Sequence, residues 1–127
     1  MNGVEWIVEA HGCDAESLRS LDLLRVLFDT VVSELRLRPL AETLWHQFPG
    51  SGGITGLCLL SESHLACHTF PEFGSLCLNL FCCRPRQPWN FEKNLVVMFS
   101  ADSVQVRTLT RNYTAVRSTT LTGRSGR

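Results

Sequence analysis

The chain has 127 residues, a length that suits a single domain, and 44% of its residues are hydrophobic. Its twelve basic residues balance twelve acidic ones, so no net charge attracts nucleic acid or an anionic membrane. No run approaches the roughly 18 apolar residues of a membrane span, and Glu5 and Glu9 interrupt the apolar core that a signal peptide needs. We therefore expect a cytoplasmic protein that binds neither nucleic acid nor a membrane.

The first part of the chain predicts one strand and one clear helix. Residues 4–11 alternate apolar and polar side chains, which is typical of a strand with one face toward a core, and residues 12–17 fit a loop. An apolar stripe at i, i+3 and i+4 over residues 23–35 predicts an amphipathic helix. Either Ser20 or Asp22 can cap this helix.

The rest of the chain predicts a series of strands, one further helix and a tail. Apolar and β-branched runs between turn residues predict strands over residues 40–48, 54–60, 64–70, 75–83 and 104–108. Residues 89–99 predict a second, weaker helix, and residues 114–127 a disordered tail after a single domain of residues 1–113. Two helices and about six strands, mostly joined by short turns, indicate an α+β fold, with a largely antiparallel sheet and helices on one face.

The six cysteines are expected to be mainly core thiols rather than ligands or disulfides. They are Cys13, Cys58, Cys67, Cys77, Cys82 and Cys83. Disulfides are rare in the cytosol, there is no Cys-x-x-Cys pair, and two adjacent cysteines are poorly placed to bind one ion. We expect no metal; a zinc-binding module built from Cys82, Cys83 and the histidines is the rival interpretation.

The sequence SESHLACH, residues 61–68, holds more reactive side chains than a strand needs. On composition alone it fits a solvated hairpin turn, a metal site, or a nucleophile with its base. One route open to Glu62-Ser63 is attack of the serine hydroxyl on the preceding carbonyl, followed by elimination that cleaves the chain. After hydrolysis the new N-terminus is a pyruvoyl group, a ketone that can condense with an amine and act as an electron sink. The spacing permits this route without establishing it.

The sequence SESHLACHTFPEFG resembles the processing segment of bacterial S-adenosylmethionine decarboxylases, whose pattern runs Glu-Ser-His and then His-Thr-Trp-Pro-Glu. EAHGCD and WHQFPGSGGITG before it, and LNLFCC after it, lie in the family's order, so the resemblance covers residues 3–113. It implies a pyruvoyl-dependent decarboxylase of the short prokaryotic type, made as a proenzyme and acting in spermidine biosynthesis. It also implies a two-layer homodimer in which the sheets of two copies pack together.

Site residues follow from the resemblance position by position. Cleavage is implied between Glu62 and Ser63, and Ser63 becomes the pyruvoyl group that holds the substrate as a Schiff base. The resemblance also implies that His68 serves in processing and that Cys83 donates a proton after carbon dioxide leaves. A thiol suits that step because its proton is labile near neutral pH. Phe70 and Glu72 match family positions near the substrate pocket. Phe48 is expected there too, because it and Phe70 could sandwich a purine ring.

Two departures from the family pattern leave the substrate open. Phe70 replaces the usual tryptophan, which argues mildly against stacking on adenine, and Asn79 stands where an aspartate is common. Relatives that decarboxylate arginine or ornithine keep the same cleavage machinery, but their substrates carry a distal cation that needs a carboxylate partner. The loss of acid at Asn79 therefore argues mildly against them. S-adenosylmethionine is the expected substrate, arginine or ornithine the alternative, and a catalytically silent partner subunit the non-enzymatic alternative.

Overall fold

The computed structural model of the chain describes residues 2–115, in which six antiparallel strands form one sheet and helices cover one of its faces. The strands are β1 (Asn2–His11), β2 (Leu44–Gln47), β3 (Ile54–Leu60), β4 (Ser63–Phe70), β5 (Ser75–Cys82) and β6 (Ser103–Asn112). The helices are α1 (Ala15–Leu18), α2 (Leu21–Glu34) and α3 (Phe91–Phe99), and a 3-10 turn spans Pro71–Phe73. The strand order is β2-β3-β4-β5-β1-β6, and every neighbouring pair is antiparallel. The predicted α+β class is confirmed.

Side chains alternate between the two faces of the sheet, as the strand period requires. On β4, Leu65 and Cys67 are buried under the helices, and on β5 Leu78 and Leu80 are buried with them. The helices complete this core with the apolar stripe of α2 and with Phe91, Leu95 and Phe99 of α3. We call the other side of the sheet, which these helices leave uncovered, the open face.

The open face carries the polar and aromatic side chains that the sequence analysis singled out. His68 and Phe70 of β4 are exposed there, and Asn79 and Phe81 of β5 are half-buried. Toward the β2 edge the face is apolar, because three leucines are exposed: Leu44 (71%), Leu57 (47%) and Leu59 (58%).

Both predicted helices form, and each has the cap that its sequence offers. The hydroxyl of Ser20, not the carboxylate of Asp22, caps α2 by accepting from the Leu23 amide at 3.1 Å. The side chain of Asn90 caps α3 by accepting from the Lys93 amide at 3.0 Å. Each helix therefore begins where a short polar side chain satisfies one of its free N–H groups.

Two details of the predicted elements were wrong. The loop predicted over residues 12–17 instead runs into the short helix α1, because the Asp14 carboxylate accepts from the Ser17 amide at 2.9 Å and nucleates a turn. The strand predicted over residues 40–48 is confined to Leu44–Gln47, since before it only an isolated bridge joins Pro39 to Leu60. The predicted tail, residues 114–127, lies almost wholly outside the described residues.

Candidate active site

The predicted cleavage bond lies in a tight turn between β3 and β4. Ser61 and Glu62 form the turn, and Leu60 pairs with Ser63 across it. The Cys83 amide donates to the Glu62 carbonyl oxygen at 2.7 Å. Ser63 thus directly follows a carbonyl that is polarised by a backbone donor, the arrangement in which a serine hydroxyl can attack its own peptide bond.

The two adjacent cysteines occupy different environments at this end of the sheet. Cys82 pairs with Ser63 across β4 and β5 and is 1% exposed. Burial raises the pKa of its thiol, so Cys82 behaves as the core thiol that the sequence analysis expected. Cys83 is half-buried and lines an open groove with Ser61, Glu62 and others. The predicted proton donor is thus the more accessible thiol of the pair.

The predicted pocket residues meet in one cavity of about 490 Å³ at the opposite end of β4. Its lining includes all three residues assigned to the substrate pocket, together with His68: Phe48, Phe70, Glu72 and His68. Strand alternation places His68 and Phe70 on the same face of β4, and Glu72 follows in the 3-10 turn. Phe48 reaches the cavity from the end of β2, where its amide donates to the Gly53 carbonyl at 2.7 Å.

Thr55 is a candidate functional residue that the sequence analysis missed. Its hydroxyl lies 3.0 Å from Nδ1 of His68, and the two residues are paired across β3 and β4. The sequence contains the signal, because a two-residue turn that pairs Leu60 with Ser63 also sets Thr55 opposite His68. Thr55 orients the imidazole ring in the cavity.

His68 does not meet the other two predicted catalytic residues, Ser63 and Cys83, within one copy of the chain. Ser63 and His68 are five residues apart on the same strand, and a strand rises about 3.4 Å per residue. Their Cα atoms are therefore about 17 Å apart, far beyond hydrogen-bonding distance. One end of the strand carries the cleavage bond and Cys83, and the other carries His68 and the cavity.

Asn79 and His64 belong to a hydrogen-bonded network on the open face. The Asn79 amide nitrogen donates to the Glu5 carboxylate at 2.7 Å, which turns its carbonyl oxygen toward Nε2 of His64, also at 2.7 Å. Because that oxygen only accepts, Nε2 of His64 carries a proton. The hydrogen bond from Asn79 lowers the pKa of Glu5, and Arg111 lowers it further against the opposing effect of burial.

Residues 2–115 contain neither a metal-binding cluster nor a membrane-spanning helix. Within that range, no group of three or more His, Cys, Asp and Glu side chains is arranged to hold a metal ion. Over the same residues, no helix has the length and apolar character needed to cross a bilayer.

Comparison with a solved structure defines the fold first. The crystal structure of the adenosylmethionine decarboxylase from Aquifex aeolicus matches this chain with a TM-score of 0.75, over 92% of this chain and 96% of that one. The two sequences are 21% identical. The chain therefore has the fold of that structure, built on an antiparallel sheet with helices on one face.

The sequences then identify the family. The profile of the S-adenosylmethionine decarboxylase family matches residues 4–112, and the chain belongs to this family. The S-adenosylmethionine decarboxylase proenzyme of Clostridium kluyveri is 31% identical over 110 residues, which cover 83% of this chain and 82% of that one. The proenzyme of the same name from Caldicellulosiruptor saccharolyticus is 34% identical over 97 residues, 75% and 76% of the two chains. The resemblance seen in the processing segment is confirmed.

Proposed function

We propose that the chain is a self-processing, pyruvoyl-dependent decarboxylase that acts on S-adenosylmethionine and so supplies spermidine biosynthesis. The observation that carries the proposal is the Glu62-Ser63 bond, which lies in a tight turn with its carbonyl held by the Cys83 amide, in a chain of this family. The relatives are named proenzymes, and their names favour S-adenosylmethionine over arginine or ornithine.

Self-cleavage needs only groups that the chain holds. The Ser63 hydroxyl attacks the Glu62 carbonyl carbon, its proton passes to the amide nitrogen, and the C–N bond is replaced by a C–O ester bond. A base then removes the Ser63 Cα proton, the Cβ–Oγ bond breaks, and Glu62 leaves as a carboxylate. This leaves dehydroalanine at position 63, which tautomerises to an imine as a proton moves from nitrogen to Cβ. Water hydrolyses the imine, releases ammonia and leaves the pyruvoyl group. His68 is the base that the family pattern favours.

The residues around the bond fit the formation of this group. The Glu62 side chain is 43% exposed and the bond lies beside an open groove, so the new chain ends can separate. Once formed, the pyruvoyl ketone supplies an electrophile for the substrate's amine and an electron sink for the loss of carbon dioxide. Cys83, half-buried in the groove, holds the proton that the product needs at its α-carbon.

The cavity at the other end of β4 fits the rest of the substrate. Phe48 and Phe70 are 48% and 37% exposed and both face the cavity, so they can stack on a purine ring. Glu72 is the carboxylate in its lining and can accept hydrogen bonds from ribose hydroxyls. Asn79 carries an amide where the family commonly has an aspartate, and the neighbouring Glu5 carboxylate is already bonded to Asn79 and Arg111. Neither residue therefore offers a free carboxylate to the distal cation of arginine or ornithine.

We further propose that two copies share each active site as a homodimer. Because Ser63 and His68 are about 17 Å apart on one strand, His68 can serve only the Ser63 of another copy. A two-fold axis that exchanges the two ends of β4 passes near the middle of the strand, at Ala66. Ala66 is the small, half-buried side chain that β4 presents there on the open face. Two open faces can therefore approach closely, which also covers the exposed leucines Leu57 and Leu59.

The intact mass of the purified protein tests the proposal. We expect two fragments, residues 1–62 and 63–127, with the second lacking a free amino group, and release of carbon dioxide from S-adenosylmethionine. Ser63→Ala removes only the hydroxyl and should give a folded, uncleaved chain. An intact mass that persists through long incubation contradicts self-processing and favours a silent partner subunit. Release of carbon dioxide from arginine or ornithine alone would overturn the substrate while leaving the mechanism intact.

A further inference from the structure

Tyr113 ties the end of β6 to the segment that faces the cleavage bond. It directly follows Asn112, the last residue of β6, and its hydroxyl donates to the Cys83 carbonyl oxygen at 2.7 Å. The Tyr113 side chain is 45% exposed and forms one wall of the groove that also contains Glu62 and Cys83. A residue distant in sequence thus contacts the backbone of the predicted proton donor.

Gly3 makes room for this contact. It lies in β1 opposite Arg111 of β6 and is buried. A Cβ atom at this position would lie 2.0 Å from the Tyr113 hydroxyl oxygen and 2.4 Å from the Cys82 carbonyl oxygen. Since carbon atoms do not approach oxygen so closely, any larger residue at Gly3 must displace both the Tyr113 hydroxyl and the Cys82 carbonyl. The Tyr113 hydroxyl thus occupies the space that a side chain at position 3 would need.

Cys83 transmits the contact to the bond that is cleaved. Its carbonyl accepts from Tyr113 while its amide donates to the Glu62 carbonyl, so hydrogen bonds restrain the residue on both sides. The next residue adds an ion pair, with Nε of Arg84 3.1 Å from the Glu62 carboxylate. Attack by Ser63 places negative charge on the Glu62 carbonyl oxygen, where a preorganised donor is most effective.

We propose that Tyr113 is a positioning residue for the first step of self-cleavage, holding the Cys83 amide on the Glu62 carbonyl while the Ser63 hydroxyl attacks. The inference rests on the proposed function and extends it to a residue outside the processing segment. Loss of one direct donor to a developing oxyanion costs about 10²–10³ in rate. Tyr113 acts through Cys83, so we expect its hydroxyl to contribute about tenfold.

A purely structural role for Tyr113 is the alternative, because the Cys83–Glu62 hydrogen bond is also the last rung between β4 and β5. A structural role would lower the stability of the folded chain, whereas a positioning role slows the first step of cleavage in a chain that stays folded. Hydroxylamine attacks an ester far faster than an amide, so it cleaves the chain after the Ser63 hydroxyl has attacked, giving a hydroxamate at Glu62 and a free Ser63 amine. In a His68→Ala chain, where the second step is blocked, cleavage by excess hydroxylamine measures the first step alone.

The experiment compares Tyr113→Phe, Gly3→Ala and Thr110→Val in the His68→Ala chain made by cell-free translation, with the fraction cleaved by hydroxylamine followed over time. Thr110→Val is the matched control, since it removes a hydroxyl from the neighbouring part of β6. The same three changes in the uncleavable Ser63→Ala chain report melting temperature. We expect Tyr113→Phe to slow the first step about tenfold and Gly3→Ala at least as much, with the control unchanged and the Tyr113→Phe melting temperature close to that of its parent.

Three results overturn the inference: an unchanged rate in Tyr113→Phe, an equal slowing in Thr110→Val, or a slowing that accompanies loss of the folded state in the Ser63→Ala chain. Failure of the proposed function looks different. In that case the chain with no substitution stays intact, and hydroxylamine cleaves none of the variants.

Discussion

The two ends of β4 carry different halves of the proposed chemistry. At the Ser63 end, backbone contacts hold the proposed cleavage bond in a tight turn beside Cys83, and no histidine takes part in those contacts. At the His68 end, the imidazole is oriented by Thr55 and faces a cavity with two aromatic walls, but the bond to be cut is about 17 Å away. Neither end holds the complete set of proposed catalytic residues. In the proposed dimer, a second copy supplies the missing ones.

The strongest test of the shared site places an intact Ser63 and an intact His68 on different chains. We expect His68→Ala alone to slow self-cleavage about 10²–10⁴-fold, the usual contribution of a general base. Mixed during folding with an equal amount of Ser63→Ala chains, which retain His68, about half of the His68→Ala chains should regain rapid cleavage in mixed dimers. Gel electrophoresis with a size tag on one chain measures this. Absence of rescue would place His68 and Ser63 in the same copy.

Substitutions of the two adjacent cysteines distinguish self-cleavage from decarboxylation. We expect Cys83→Ala to keep most self-cleavage, because it leaves the backbone amide in place, and to lower decarboxylation about 10²–10⁴-fold through loss of the proton donor. Cys82→Ala is the matched control: it truncates a buried thiol, so it should lower stability by about 1 kcal/mol and keep turnover. Full decarboxylase activity in Cys83→Ala would remove that thiol from the mechanism.

A charge at the middle of β4 tests how the two ends are brought together. Ala66→Arg would bury an unpaired charge between two open faces, at a cost of about 3 kcal/mol, or about 100-fold weaker association. Sedimentation should show monomers at micromolar concentration, with self-cleavage slowed in parallel. Val97→Arg places the same charge on the exposed surface of α3, where the side chain is 74% exposed, and should change neither. A monomeric Ala66→Arg chain that still cleaves normally would refute the shared site.

The smallest effect concerns the network beside His64. Because the Asn79 hydrogen bond lowers the pKa of Glu5 in the folded chain, its stabilisation is complete above the ordinary carboxyl pKa. It is lost as the pH falls through the lower, folded value. Denaturation of uncleavable chains should therefore show Glu5→Gln destabilised by about 1 kcal/mol at pH 7, with the difference shrinking below about pH 4. In an Asn79→Ala background that pH-dependent difference should be smaller. A difference that does not vary with pH would contradict this account.

Local sequence patterns were sufficient for most of the fold. The apolar stripe over residues 23–35 and the strand runs around the processing segment predicted α2, β3, β4 and β5 to within one or two residues, because helix and strand periods depend on neighbouring side chains. The errors in predicted helix and strand bounds occurred at a helix start and at the edge of the sheet. The Asp14 cap turned a predicted loop into α1, and the edge position of β2 shortened its strand.

The sequence alone was enough to predict the reactive residues of the proposed mechanism, since Glu62, Ser63, His68 and Cys83 lie in motifs that can be recognised along the chain. Register even placed Thr55 opposite His68 once the two-residue turn was known. The folded sheet was needed to show that Cys83 lies at the Ser63 end of β4 and Phe48 at the His68 end. It also showed that Gly3, Tyr113 and Cys83 meet beside the proposed cleavage bond. Those contacts join β1, β6 and the end of β5, which lie far apart in sequence. Their meeting depends on the order of strands in the sheet, which no local period specifies.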